Sequence, residues 1–237
     1  MPRSVAINVG ANTNAPGFRG PVHPDGRFEF VPIPEDAPTR EPPPTYADLD
    51  LSMPIPAAVR DTPVHLDPEF AEYPHGERYT YGDPYGVKAR PLLDLAAGDY
   101  VFFYATLDSP DDPAPWMPPD WGAYLVGQFC LARDPVDGEA YHDLPPSVSD
   151  RFRNNAHVRR ETFDAAVLLL GDDDSRLYDR AVPLSTPERG VDPNRVVTDL
   201  SSDSGKGPWW RRPLRFDADA TREVLARVAE MQEAARE

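Results

Sequence analysis

Residues 98–132 read GDYVFFYATLDSPDDPAPWMPPDWGAYLVGQFCLA. Two apolar runs rich in aromatic and β-branched residues, Tyr100–Leu107 and Ala123–Ala132, flank a loop of Pro and Asp. Runs of this kind, bounded by Gly-Asp and Trp-Gly, read as strands, the second returning beside the first as a hairpin. Working outward, Ala165–Leu170 is a third strong strand, stopped by Gly171-Asp172-Asp173-Asp174. Val5–Val9 reads as a buried first strand and Arg27–Val31 as a further one, with Phe28 and Phe30 on one face. Ser147–Arg153 reads as helical. A C-terminal helix is capped by Asp217 or Asp219 and carries Val224, Leu225, Val228 and Met231 on one stripe. Short strands, long loops and helices at the edge predict a β-rich α+β fold. No flexible linker separates two cores, so residues 1–237 are expected to form one domain.

Between Pro32 and Phe70 prolines dominate, including Pro42-Pro43-Pro44. Proline lacks the ladder donor, which excludes a central strand here. Residues 43–51 have room for one short helix with Thr45 as N-cap. Interleaved Tyr, Leu, Ile, Val and Phe predict a packed, irregular wrap rather than a loose linker.

The chain carries 24 basic and 40 acidic groups, for a net charge of −16, and Lys88 and Lys206 are its only lysines beside 22 arginines. Few lysines, many arginines and an acidic excess match proteins adapted to molar salt, where the Debye length falls to about 3 Å. The rival reading is an acidic protein that binds a basic partner. In a salt-adapted protein this charge argues little against nucleic acid, but counterion release would contribute little to binding. A nucleic-acid site would then depend on stacking, shape and hydrogen bonds. One cysteine, Cys130, excludes a disulfide framework and a Cys-rich zinc site. No apolar run approaches the ~20 residues of a membrane span. The N-terminal apolar run is too short for a secretory signal. A cytoplasmic protein without a membrane partner is expected.

The stretch Ile7–Glu35, INVGANTNAPGFRGPVHPDGRFEFVPIPE, holds a loop between two expected strands. It lacks the spacing of a Walker loop and of GxGxxG. Asn8, Asn12 and Asn14 supply amides suited to a base edge, and Arg19 a guanidinium suited to phosphate. Loop fixation by Asx-turns is the structural alternative. His23-Pro24-Asp25-Gly26 is a turn, and His23, Asp25 and Glu35 are candidate acid/base groups, with His157 from a later segment. The five histidines show no HxH, HxxxH or Cys/His spacing, so no metal site is expected, although one assembled from distant segments stays open.

Three further clusters offer nucleotide contacts. Tyr79 and Tyr81 in YPHGERYTYGDPY, and Tyr104 in the first long strand, offer stacking surfaces; ordinary aromatic packing is the alternative. Asn154-Asn155-Ala156-His157-Val158-Arg159-Arg160 is the densest local positive charge, so Asn155, Arg159 and Arg160 are candidate anion contacts against a surface ion-pair network. Ser175 follows three aspartates. Lys206 and Trp209, in SGKGPWWRR, stand in a second basic and aromatic cluster that either closes over a nucleotide or anchors a loop.

GPVHPDGRFEFVPIPE within residues 7–35 resembles the third family of nucleotide-modification-associated domains, which are linked to modified bases in DNA. The order AAGDYVFFYATL, WGAYLVGQFCLA, NAHVRR, AVLLLGDDDSRLYDRAVPLS is similar to the PUA-like group that includes EVE, ASCH and YTH domains. That resemblance implies a small mixed barrel at about residues 88–216, cupping a nucleobase, with residues 5–35 packed on it. The implied function is recognition of a nucleotide or modified base, with nucleotide or modified or single-stranded DNA as partner, alongside possible partner proteins of a modification system. An enzyme, transferase or hydrolase, acting on a modified nucleotide is the second reading. A protein-interaction module using the Pro-rich segment is the third. Which cofactor, if any, the protein uses is unknown from the sequence.

Overall fold

The structure of the protein, a computed structural model, describes residues 1–233. In chain order its regular elements are β1 (Ser4–Asn8), β2 (Ile33–Pro34), β3 (Val64–His65), β4 (Thr80–Asp83), α1 (Gly86–Leu93), β5 (Tyr100–Asp108), β6 (Trp121–Cys130), β7 (Val136–Asp137), α2 (Pro146–Ser149), α3 (Ala156–Arg159), β8 (Val167–Leu170), β9 (Arg176–Pro183), β10 (Leu214–Phe216) and α4 (Ala218–Glu233). The α+β class agrees with the sequence reading. The strands form sheets of five, two and three strands, and no closed barrel of the PUA-like kind is found among the described residues. No described helix is long and apolar enough to cross a membrane.

One domain is the expectation from sequence; the contacts group the chain into two compact units, each built from separated segments. The first comprises Met1–Val31, Tyr100–Gln128 and the chain from Tyr178 onward. Its sheet has the order β10-β1-β5-β6-β9. β1 runs parallel to β5, Ser4 opposite Tyr100 and Asn8 opposite Tyr104, and antiparallel to β10. Phe102, Tyr104, Leu125, Trp209 and Phe216 form its core with Val224 and Val228 of α4. Asp217 caps α4, its Oδ1 accepting from the N–H groups of Asp219 at 3.1 Å and Ala220 at 2.9 Å. The second unit comprises Pro32–Asp99 and Phe129–Leu177. It holds the β4-β8-β7 sheet and the short β2-β3 pair.

One local reading differs from expectation, and two helical readings are met in short form. Arg27–Val31 is not a strand: only Phe28 bridges back, to Val22, because Pro21, Pro24 and Pro32 remove ladder donors around it. The turn before it is present, with Gly26 at φ +89° and its N–H on His23 O at 2.8 Å. Tyr46–Asp48 is a single 3-10 turn in which Thr45 N–H and Oγ1–H both donate to Asp48 Oδ2 at 2.8 Å. Residues 147–153 split into α2 and a second 3-10 turn, Asp150–Phe152.

Candidate functional site

In the first unit the N-terminal loop leaves β1 at Asn8 and turns back on itself. Gly10 takes φ +78°, and a Cβ there would sit 3.0 Å from the Phe30 ring and 3.1 Å from Val31 O. Ala11 N–H then donates to Val31 O at 2.7 Å. An Asx-turn follows: Asn12 Oδ1 accepts from Asn14 N–H at 2.8 Å. These constraints bring Asn8, Asn12, Asn14 and Arg19 together with Trp210 and Arg211 around a cavity of about 230 Å³. Thr13 and Thr106 complete the lining, and none of the eight lining residues is acidic.

Arg19 is mostly buried. Its Nη1 donates to Asp108 Oδ1 at 2.8 Å, and its guanidinium lies 4.9 Å from the Trp121 ring centre. Its Nε is buried without a hydrogen-bond partner among the described residues. Asn8 Nδ2 donates to Tyr104 O across 3.4 Å. Trp210 packs edge-on against Trp121 and Trp209.

The other expected residues of this unit have structural positions. His23 and Asp25 stand on the turn, where Asp25 Oδ2 pairs with Arg27 Nε at 2.6 Å. Tyr104 and Trp209 are fully buried, so neither ring offers a face for stacking. Tyr104 donates to Arg212 O at 2.7 Å and Trp209 Nε1 to Val191 O at 2.8 Å. Lys206 is exposed and its carbonyl accepts from Arg212. The cluster therefore contributes Trp210 and Arg211 to the cavity rather than Trp209 and Lys206.

In the second unit Glu35 and His157 belong to one polar cluster with the buried His65 and Asp67, the mostly buried Arg160 and, at its exposed edge, Asp164. His65 Nδ1 lies 2.6 Å from Glu35 Oε2, and His157 Nδ1 lies 2.7 Å from Asp164 Oδ1. Arg160 donates to Glu35 Oε1 through Nε at 3.1 Å and Nη2 at 2.7 Å, and its Nη1 bonds Asp164. Asn155 donates to Asp67 Oδ1 at 3.0 Å and to Thr80 Oγ1 at 3.3 Å, while its own Oδ1 accepts His157 N–H at 3.1 Å. Burial pushes the Glu35 carboxyl up, but His65, Arg160 and the Ala37 N–H outweigh it and bring its pKa down to about 2. Burial likewise disfavours the charged imidazole of His157, and Asp67 and Asp164 reverse that to leave its pKa raised.

Asn155 and Arg160 are thus internal struts, and the acidic partners of Arg160 are Glu35 and Asp36, far away in sequence, and Asp164, four residues on. Arg159 does line an open cleft of about 590 Å³, with Arg40, Arg153 and Tyr141, but Glu41, Glu77 and Asp150 line it too. Tyr81 is buried and donates to Asp83 Oδ2 at 2.7 Å. Tyr79 is part-buried and donates to Glu72 Oε1 at 2.9 Å, which together with burial pushes its hydroxyl up to about 12. Ser175 is buried, its Oγ accepting from Cys130 N–H at 3.1 Å. His65 and Asp67 are not among the residues the sequence singles out, and the groups they meet come from separate segments.

A family model described as nucleotide modification associated domain 3 matches residues 3–226. No curated protein and no solved structure matches the chain.

Proposed function

The chain belongs to the nucleotide modification associated domain 3 family, and from that premise we propose that it recognises a nucleotide or modified base at the cavity of its first unit. The observation that carries this reading is the lining: three Asn, two Arg and a Trp with no carboxylate among them, in a chain of net charge −16. Asn amides have the donor-acceptor pattern of a base edge. Arg19 and Arg211 suit phosphate, and Trp210 offers a ring for stacking. At about 230 Å³ the cavity falls below the range of drug-sized pockets, which favours one base over an extended ligand.

Fluorescence anisotropy with labelled single-stranded DNA, with and without modified bases, in high salt tests this. Arg211 is exposed, so Arg211→Ala removes a ligand contact without unpairing a buried group. Losing one charge-assisted contact is worth about 1.5–3 kcal/mol, roughly 10- to 150-fold in affinity. Equal affinity of wild type and the Arg211→Ala, Asn12→Ala double variant would overturn the assignment.

The enzyme reading is favoured by a separate observation, the meeting of Glu35 and His157 in one polar cluster of the second unit. Turnover of a modified nucleotide that is lost in His157→Gln would support it.

A further inference from the structure

We propose that His65, Asp67 and His157 of the second unit bind a divalent first-row transition-metal ion. One ligand atom of each residue lies within 4.8 Å of the others. Asp67 Oδ2 stands 3.5 Å from His157 Nε2 and 3.9 Å from His65 Nε2. Ligand distances of about 2.0–2.2 Å place neighbouring donor atoms about 2.8–3.1 Å apart around an octahedral ion and about 3.3–3.6 Å apart around a tetrahedral one. Small side-chain shifts therefore close the site.

The hydrogen bonds outside this triangle fix its chemistry. Glu35 and Asp164 are carboxylates and accept only, so the Nδ1 atom of each imidazole carries its proton. Whenever a ring is neutral, its Nε2 carries the lone pair, and in both residues Nε2 is the nitrogen on the Asp67 side. Two lone pairs and a carboxylate oxygen facing one another repel unless a positive charge lies between them. A carboxylate behind each ligating histidine is the usual support of a metal site. His65, Asp67 and His157 are 4%, 7% and 3% exposed, so water does little to screen them. Asp67 and Glu35 are buried carboxylates, and Arg160 bonds Glu35 but not Asp67, so the charge of Asp67 is open to a divalent ion.

A proton on His157 is the rival occupant, because Asp67 and Asp164 both favour the charged ring; the titration below separates the two. Both Nε2–Oδ2 separations equal or exceed the longest useful hydrogen bond. The carboxylate is also already held from its far side: Gly82 N–H lies 3.0 Å from both Asp67 oxygens, and Asn155 bonds Oδ1. Gly82 is required, because a Cβ there would stand 2.7 Å from His157 Cδ2. Two imidazoles and one carboxylate suit zinc or iron(II) and disfavour calcium and magnesium.

The test uses tag-free full-length protein stripped with a chelator, then titrated with cobalt(II) by absorption and with zinc by calorimetry. The expected result is one ion per chain, with a melting temperature raised by zinc and lowered by chelator. His157→Gln and Asp67→Asn should lose at least 100-fold in affinity. Glu35→Gln and Asp164→Asn should lose about 10- to 100-fold, as supporting groups do. Cys130→Ser should change nothing, which separates this site from the other grouping, Cys130, Asp172 and Asp174. Absence of one-to-one binding by the stripped wild type, or binding that survives His157→Gln, would overturn the proposal and leave a proton-bridged network.

Discussion

Arg19 and Arg160 show how one residue type serves two ends. Arg160 lies between Glu35 and Asp164, each already bonded to an imidazole, and its guanidinium is committed to the fold. Arg19 has one carboxylate, Asp108, and a buried Nε without a partner among the described residues. Only the second has hydrogen-bonding capacity left for a ligand. Glu35 makes a pH prediction. Its folded pKa, about 2, lies below the ordinary value, so its contribution is present above pH ~4.5 and is lost as pH falls toward 2. Glu35→Gln should flatten the acid limb of a stability-against-pH curve from chemical denaturation; an unchanged acid limb would refute the pairing. That Asn8, Asn12, Asn14 and Arg19 come together on one cavity is legible in the sequence because they fall on one short loop. His65 and Asp67 are not legible: their partners, Glu35, His157 and Asp164, come from separate segments, and no local pattern shows a convergence made by tertiary packing.

Among the elements, Trp209 and Trp210 divide core packing from cavity lining. They adjoin in one 3-10 turn, yet Trp209 is fully buried and Trp210 lines the cavity. Trp209→Ala should cost about 3–5 kcal/mol in urea unfolding. Trp210→Ala should weaken single-stranded DNA by about 1–3 kcal/mol per stacked base, with a much smaller stability loss. Equal stability losses would refute this division. β5, β6 and α4 were legible because their patterns are long and their boundaries carry Gly-Asp, Trp-Gly and Asp signals. α1 was not read, since Pro91 lies inside it and argues locally against a helix. β9 was also missed, its RLYDRAVP mixing charges with the buried Tyr178, Ala181 and Val182. Burial on one face is visible only once the sheet is assembled.

At the scale of the whole molecule, the acidic surface sets the conditions in which any site works. With 40 acidic groups against 24 basic ones, self-repulsion opposes folding at low salt and fades as the Debye length shrinks. The melting temperature should rise between about 0.1 and 1 M KCl. A flat response would favour instead the reading in which the acidic face awaits a basic partner. Binding at the Asn/Arg cavity should persist in that salt, because amide and stacking contacts release few counterions. The most direct measurement is photo-crosslinking of single-stranded DNA carrying 5-iodouracil to the full chain in high salt, with the adduct mapped by mass spectrometry. The account predicts adducts on Trp210 and on the loop from Asn8 to Arg19. Adducts confined to the Arg40–Arg159 cleft, or none above background, would contradict it.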